Sequence, residues 1–195
     1  MSTSSQLLSL ASLACLLALG GCAASPPRAA EAPVDSNAPQ WIGSLHTEFA
    51  DTIDHELLAN GHASHPDYDA WFAPRAQSAD VVARVKVIST TTQGVGPVQG
   101  YRLTLQVLGQ PLAGAVSPGD TLEISISHDH ELFPVARVHD LALTGKQFMG
   151  FFKQFAGPSA GVHWYLASDG PEVVAAAQRA RTLRDVGYRV PVPRM

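Results

Sequence analysis

The spacing of apolar positions changes character several times along this chain. Leu7–Leu19 is an almost unbroken apolar run of mostly Leu and Ala. Ala23–Pro39 (AASPPRAAEAPVDSNAP) shows no period at all. Trp41, Ile42, Leu45, Phe49, Ile53, Leu57 and Leu58 then recur at helical spacing, with Thr47, Glu48, Asp51 and Asp54 on the opposite side. This predicts an amphipathic helix over 41–60, stopped by Asn60-Gly61, two residues that tolerate the left-handed conformation that ends helices. His62–Ser78 carries no period and predicts a loop, held to the core by Tyr68, Trp71 and Phe72.

From Asp80 onward the period becomes two. Val81, Ala83, Val85 and Val87 alternate with Val82, Arg84, Lys86 and Ile88. Tyr101, Leu103, Leu105 and Val107 alternate with Arg102, Thr104 and Gln106, and Leu122, Ile124 and Ile126 with Thr121, Glu123 and Ser125. These are three half-buried strands, the third introduced by Pro118-Gly119, a pair suited to a type II turn. Gln147–Phe152 and Val162–Ala167 add a fourth and a fifth. A last helix over 171–186 follows, capped by Ser168 or Asp169, with Val173, Ala176, Ala177, Ala180 and Leu183 facing inward. Arg179, Arg181 and Arg184 suit its C-terminal half, where cations complement the helix dipole. The expected fold is therefore α+β: a small, curved, five-stranded antiparallel sheet or OB-like barrel flanked by an N-terminal and a C-terminal amphipathic helix. One globular domain spans 40–195, with its β core at 80–167.

The apolar run at the start is too short for a membrane-spanning helix, and residues 1–21 carry no charged side chain. They have the length of a leader peptide, with small Gly20 and Gly21 at its end. The order Leu19-Gly20-Gly21-Cys22 resembles the lipobox of bacterial lipoproteins. The resemblance implies cleavage before Cys22, a thioether-linked diacylglycerol on its sulfur, and a lipid-anchored chain in the cell envelope. Residues 22–39 are then the acylated cysteine and a flexible tether. Ala23 stands where an Asp often marks inner-membrane retention in enteric bacteria, which implies the outer membrane, facing the periplasm.

The strands "ADVVARVKVIS", "YRLTLQVLGQPL", "PGDTLEISI" and "GKQFMGFF" follow the order found in netrin-like and tissue-inhibitor-of-metalloproteinase-like modules, which resemble residues 79–155. That likeness implies an OB-type barrel used as a binding scaffold. The animal inhibitors act through an N-terminal cysteine on the protease zinc, and that mechanism does not carry over, because Cys22 would be acylated.

Composition narrows the chemistry. A net charge of −4 argues against a nucleic-acid partner. With Cys15 lost in the leader and Cys22 acylated, the mature chain has no thiol for a disulfide, a metal or nucleophilic catalysis. No glycine-rich phosphate loop precedes a helix, and no cofactor is expected.

The remaining candidates are few. In "SHDHELFPVARVHD" (127–140), an extended backbone would place His128 and His130 on one side, where they could share a metal, with His139 approaching through a loop redirected by Pro134. Asp-His-Glu-Leu occurs at 54–57 and again at 129–132, but the flanks differ, so no duplication follows. His55-Glu56 opens like a zinc-protease helix, yet Ala59 occupies the place of its second histidine, and His62 and His65 lie beyond. "GPSAG" (157–161) has the spacing of a nucleophile elbow but leads into a strand instead of a helix, so a hairpin turn explains it. The carboxylate pairs Asp51/Asp54 and Asp67/Asp69 are expected to be solvated. Tyr68, Trp71 and Phe72 form either a binding platform for a peptide or glycan or a plug for the barrel. The preferred expectation is a non-enzymatic binding, scaffolding or envelope-maintenance lipoprotein, tied to the membrane by its lipid and partnered by an envelope protein or glycan. The alternative is a metal-binding protein or metal-dependent hydrolase using His128, His130 and His139.

Overall fold

The computed structural model describes residues 38–42, 47–54, 65–157 and 161–193. The chain divides into Met1–Pro33 and Val34–Met195, and every described residue belongs to the second unit. The expected leader, the lipobox-like Leu19-Gly20-Gly21-Cys22, almost all of the expected tether, Asn60-Gly61, His55, His62 and Ser159 lie outside the described residues.

The elements are β1 (Thr52–Ile53), α1 (Phe72–Ser78), β2 (Val81–Gln93), β3 (Gly100–Ala113), β4 (Thr121–Ile126), α2 (Phe133–Leu143), β5 (Gln147–Phe155), β6 (Gly161–Ser168) and α3 (Pro171–Asp185). They build a mixed α+β fold around a curled, half-barrel sheet of order β1-β6-β5-β2-β3-β4. Neighbouring strands are antiparallel except β1 and β6, which run parallel through Thr52↔Tyr165 and Ile53↔Leu166. The β2–β3 pairing shifts register between Val82 and Arg84 and between Val87 and Ser89. Such irregularities add local twist and bend a long hairpin, which is how the sheet curls.

The sheet is apolar on both faces. Ala83, Val85, Val87, Leu103, Leu105, Phe148, Phe152, Trp164 and Leu166 form one core with Leu132, Phe133, Ala136 and Leu143 from α2 and its entry. Val82, Met149, Phe151, Phe155 and Ala167 form a second core, covered by Phe72 and Ala76 of α1 and by Val173, Ala176, Ala177 and Ala180 of α3. Strict alternation along β5 divides its side chains between the two, which is why "QFMGFF" is apolar almost throughout. Each fully buried large side chain, such as Trp164 or Phe151, contributes about 2–3 kcal/mol of transfer free energy.

The five expected strands, three of them read from period-two alternation, are all present, and several extend further. Ser117-Pro118-Gly119-Asp120 closes with Asp120 N–H donating to the Ser117 carbonyl at 3.1 Å, and Gly119 supplies the positive φ of 92° that a type II turn requires. Five expectations are corrected. The helix over 41–60 is replaced, where described, by a 3-10 turn at Thr47–Phe49 and by β1, a sixth strand. Asp51 between them adopts φ of 50°, which no α-helix continues through. Phe49 and Ile53 keep their four-residue spacing but enter the two different cores, so the spacing marks two anchors around a turn.

The expected loop 62–78 contains α1, too short to display a period. The expected loop after the third strand contains α2, and Pro134 occupies its first turn, where a missing N–H is harmless. α3 is capped by Gly170 with no side-chain bond, and Leu183 is exposed instead of inward-facing. Among the described residues, no helix is long and apolar enough to cross a membrane.

Candidate functional site

The three aromatic residues of the 65–72 segment separate. Phe72 is buried and meets Phe151 edge-on at 5.4 Å, so it is core. Trp71 is half-buried at the start of α1. Tyr68 is 89% exposed, with its ring 5.6 Å from that of His65. Beside this segment, a cleft of about 310 Å³ runs against α3, with Phe72 as floor and Pro66, Asp67, Asp69, Arg179 and Leu183 among its walls. His65 reaches Glu172 of α3 at 3.1 Å across an adjoining hollow. The cleft brings buried Phe72 and Ala176 together with the charged side chains of Asp67, Asp69 and Arg179.

Asp69 is not a free rim charge. One of its oxygens accepts from Trp71 N–H at 2.9 Å, and the other pairs with Arg75 at 2.7 Å. Arg75 also donates from Nε to the Glu48 carbonyl, and its guanidinium lies 3.7 Å above the Tyr165 ring. This buried cation clamps the segment, the 3-10 turn and β6 together. Asp67 is exposed as expected, so the correction in that pair concerns Asp69 alone; in the other pair, solvation fails for both carboxylates. Asp54 is buried, and Asp51 accepts from Trp164 N–H at 2.9 Å and from His163 Nδ1 at 2.6 Å. Trp41 stacks on that imidazole at 3.5 Å with an interplanar angle of 6°. Nothing in the spacing of Trp41, Asp51 and His163 marks them as partners. Only the φ of Asp51, invisible in sequence, would have pointed there.

The histidines proposed as metal ligands are dispersed. His128 and His130 fall in a turn after β4, not on an extended strand, so the same-side argument lapses. His128 rests near Phe133, ring centroids 4.9 Å apart. His130 Nδ1 accepts from Leu132 N–H at 3.1 Å and so helps to start α2. His139 lies on α2 itself, not in a loop. Asp129 between the two turn histidines is held below its usual carboxylate range, chiefly by a hydrogen bond from Ser127. Among the described residues, no three His, Cys, Asp or Glu side chains come together to hold a metal ion.

Two polar devices near α3 complete the picture. Arg84 meets Asp169 through two bonds of 2.9 and 2.6 Å, which raises the Arg84 pKa further. Gln77 of α1 is buried, donating to the Ala180 and Tyr188 carbonyls and accepting from Val190 N–H at 2.8 Å. It sews the C-terminal tail to the helix pair. No protein-family model matches the chain, and no curated protein matches it significantly.

Proposed function

We propose that this is a lipid-anchored protein of the bacterial cell envelope whose folded unit works by binding or scaffolding. The observation that carries the reading is Leu19-Gly20-Gly21-Cys22 at the end of a charge-free apolar run too short to span a bilayer. The sulfur of Cys22 takes the diacylglycerol, and the residues up to 39 tether the domain. Ala23 favours the outer membrane, facing the periplasm. The strand pattern of residues 79–155 resembles OB-type modules, and by that analogy the unit serves as a binding scaffold. The cleft beside Tyr68 and the hollow adjoining it are the candidate surface for an envelope protein or glycan, and the charges of Asp67 and Arg179 at both and of Glu172 at the hollow support polar recognition.

Labelling with an alkyne fatty acid in a bacterial host tests the anchor. The wild-type chain takes up label and floats with membranes, whereas Cys22→Ser takes up none. Equal labelling of both chains would contradict the assignment. Tyr68→Ala paired with Arg179→Ala tests the surface: crosslinked envelope partners are lost while the fold is retained.

A further inference from the structure

We propose that the end of α3 and the chain after it, Leu183 to Val192, dock on an anionic lipid surface, with Arg189 meeting headgroup phosphate and Val186, Tyr188 and Val192 entering the interface. The inference rests on the lipid-anchor reading and extends it from attachment to orientation.

Charge is the first observation. From Val173 to Met195 the sequence carries five arginines (179, 181, 184, 189 and 194) and a single acid, Asp185, in a chain of net charge −4. The cations sense one another: the Arg181 guanidinium is pushed below its ordinary value first by burial and then by Arg184, with Arg189 adding to it, while Asp185 and Asp80 act the other way. Arg181 and Arg184 are committed to the α1 end, donating to the Ala76, Gln77 and Ala79 carbonyls. Their charge still contributes to the local field, and Arg189 is exposed.

The apolar side chains are the second observation. Leu183, Val186, Tyr188 and Val192 are all exposed, Val186 at 74% and Val192 at 58%. The helix stop brings Tyr188 back against Leu183, next to Val186 in the chain. Gly187, at φ of 83°, lets Tyr188 N–H donate to the Leu183 carbonyl at 2.8 Å while its own N–H donates to the Arg184 carbonyl at 2.9 Å. The chain is thereby folded back so that Tyr188 and Arg189 stand beside the last helical turn, and Gln77 fixes the tail in place. Arginines beside exposed Val and Tyr match a charged headgroup layer above an apolar one. A basic residue near an anionic surface contributes about 1 kcal/mol, which is ample for a domain already confined by an anchor.

The test uses the acylated full chain. Acylation blocks the Cys22 thiol and Cys15 leaves with the leader, so Val186→Cys provides the sole free thiol for an environment-sensitive dye. In vesicles with about 30 mol % phosphatidylglycerol, the dye should blue-shift and brighten about twofold relative to phosphatidylcholine alone. Arg189→Glu, or about 0.5 M salt, should return it to the aqueous value. A dye on Val138→Cys of α2, also exposed, should report water throughout. A Val186 label that stays aqueous on anionic vesicles overturns the proposal, as does one that responds only to a soluble anionic glycan or protein. Failure of the anchor is read separately, because the parent chain would then take up dye and would not float with neutral vesicles. Such a chain supports docking if it still blue-shifts on anionic vesicles and overturns it if it does not.

Discussion

Arg75 is 2% exposed, and its bonds to Asp69 and the Glu48 carbonyl and its place over Tyr165 account for its burial. Removing Arg75 leaves a part-buried Asp69 and the Glu48 carbonyl without their partner, which costs about 1–3 kcal/mol. Arg75→Met should therefore lower the unfolding free energy in urea by that amount, and a loss under about 1 kcal/mol would mean the clamp is idle. Asp51 tests backbone and side chain together. Asp51→Ala and Asp51→Gly both lose the bonds to Trp164 N–H and His163, but only alanine keeps a Cβ at φ of 50°. The alanine variant should be the less stable by about 1 kcal/mol, and equal stabilities would show that the conformation carries no strain. Gly150 belongs to the same scale. A Cβ there would come within 2.5 Å of the buried Phe152 ring, so Gly150→Ala should destabilise by about 1–3 kcal/mol through overpacking, measured by thermal unfolding.

Among the elements, β5 is paired on both sides and apolar on both faces, whereas β1 is two residues long and paired to β6. Hydrogen exchange should find the β5 amides the slowest in the protein and those of β1 fast, since short edge pairings open locally. Slow exchange in β1 would place it inside the main cooperative unit. The contrast also explains what the sequence discloses. β2, β3 and β4 are long enough for alternation to show, and α3 carries its stripe of Val173, Ala176, Ala177 and Ala180 over several turns. α1 spans only about two helical turns and β1 a single strand period, too few repeats for either pattern to stand out. α2 is masked by Pro134 and by the histidines around it, residue types equally at home in a loop.

Candidate-site residues were the least legible, because their environments depend on distant chain. Phe72 is core, Tyr68 is surface, and Asp51 finds His163 across more than a hundred residues.

At the scale of the whole molecule, the sequence runs from a charge-free apolar stretch through Leu19-Gly20-Gly21-Cys22 to a described α+β unit whose C-terminal segment is rich in arginine. The lipid would confine the unit to a bilayer, and the arginine-rich segment would turn that confinement into a fixed orientation. The anchor, which is the central claim, depends on the fate of Cys22. The most direct measurement is the mass of the N-terminal peptide of the mature protein, purified from a bacterial membrane fraction. The account predicts a peptide beginning at Cys22 and carrying a diacylglycerol on sulfur, recovered with the membranes. A chain that begins at Met1, or one cleaved elsewhere with an unmodified Cys22 thiol, would contradict it.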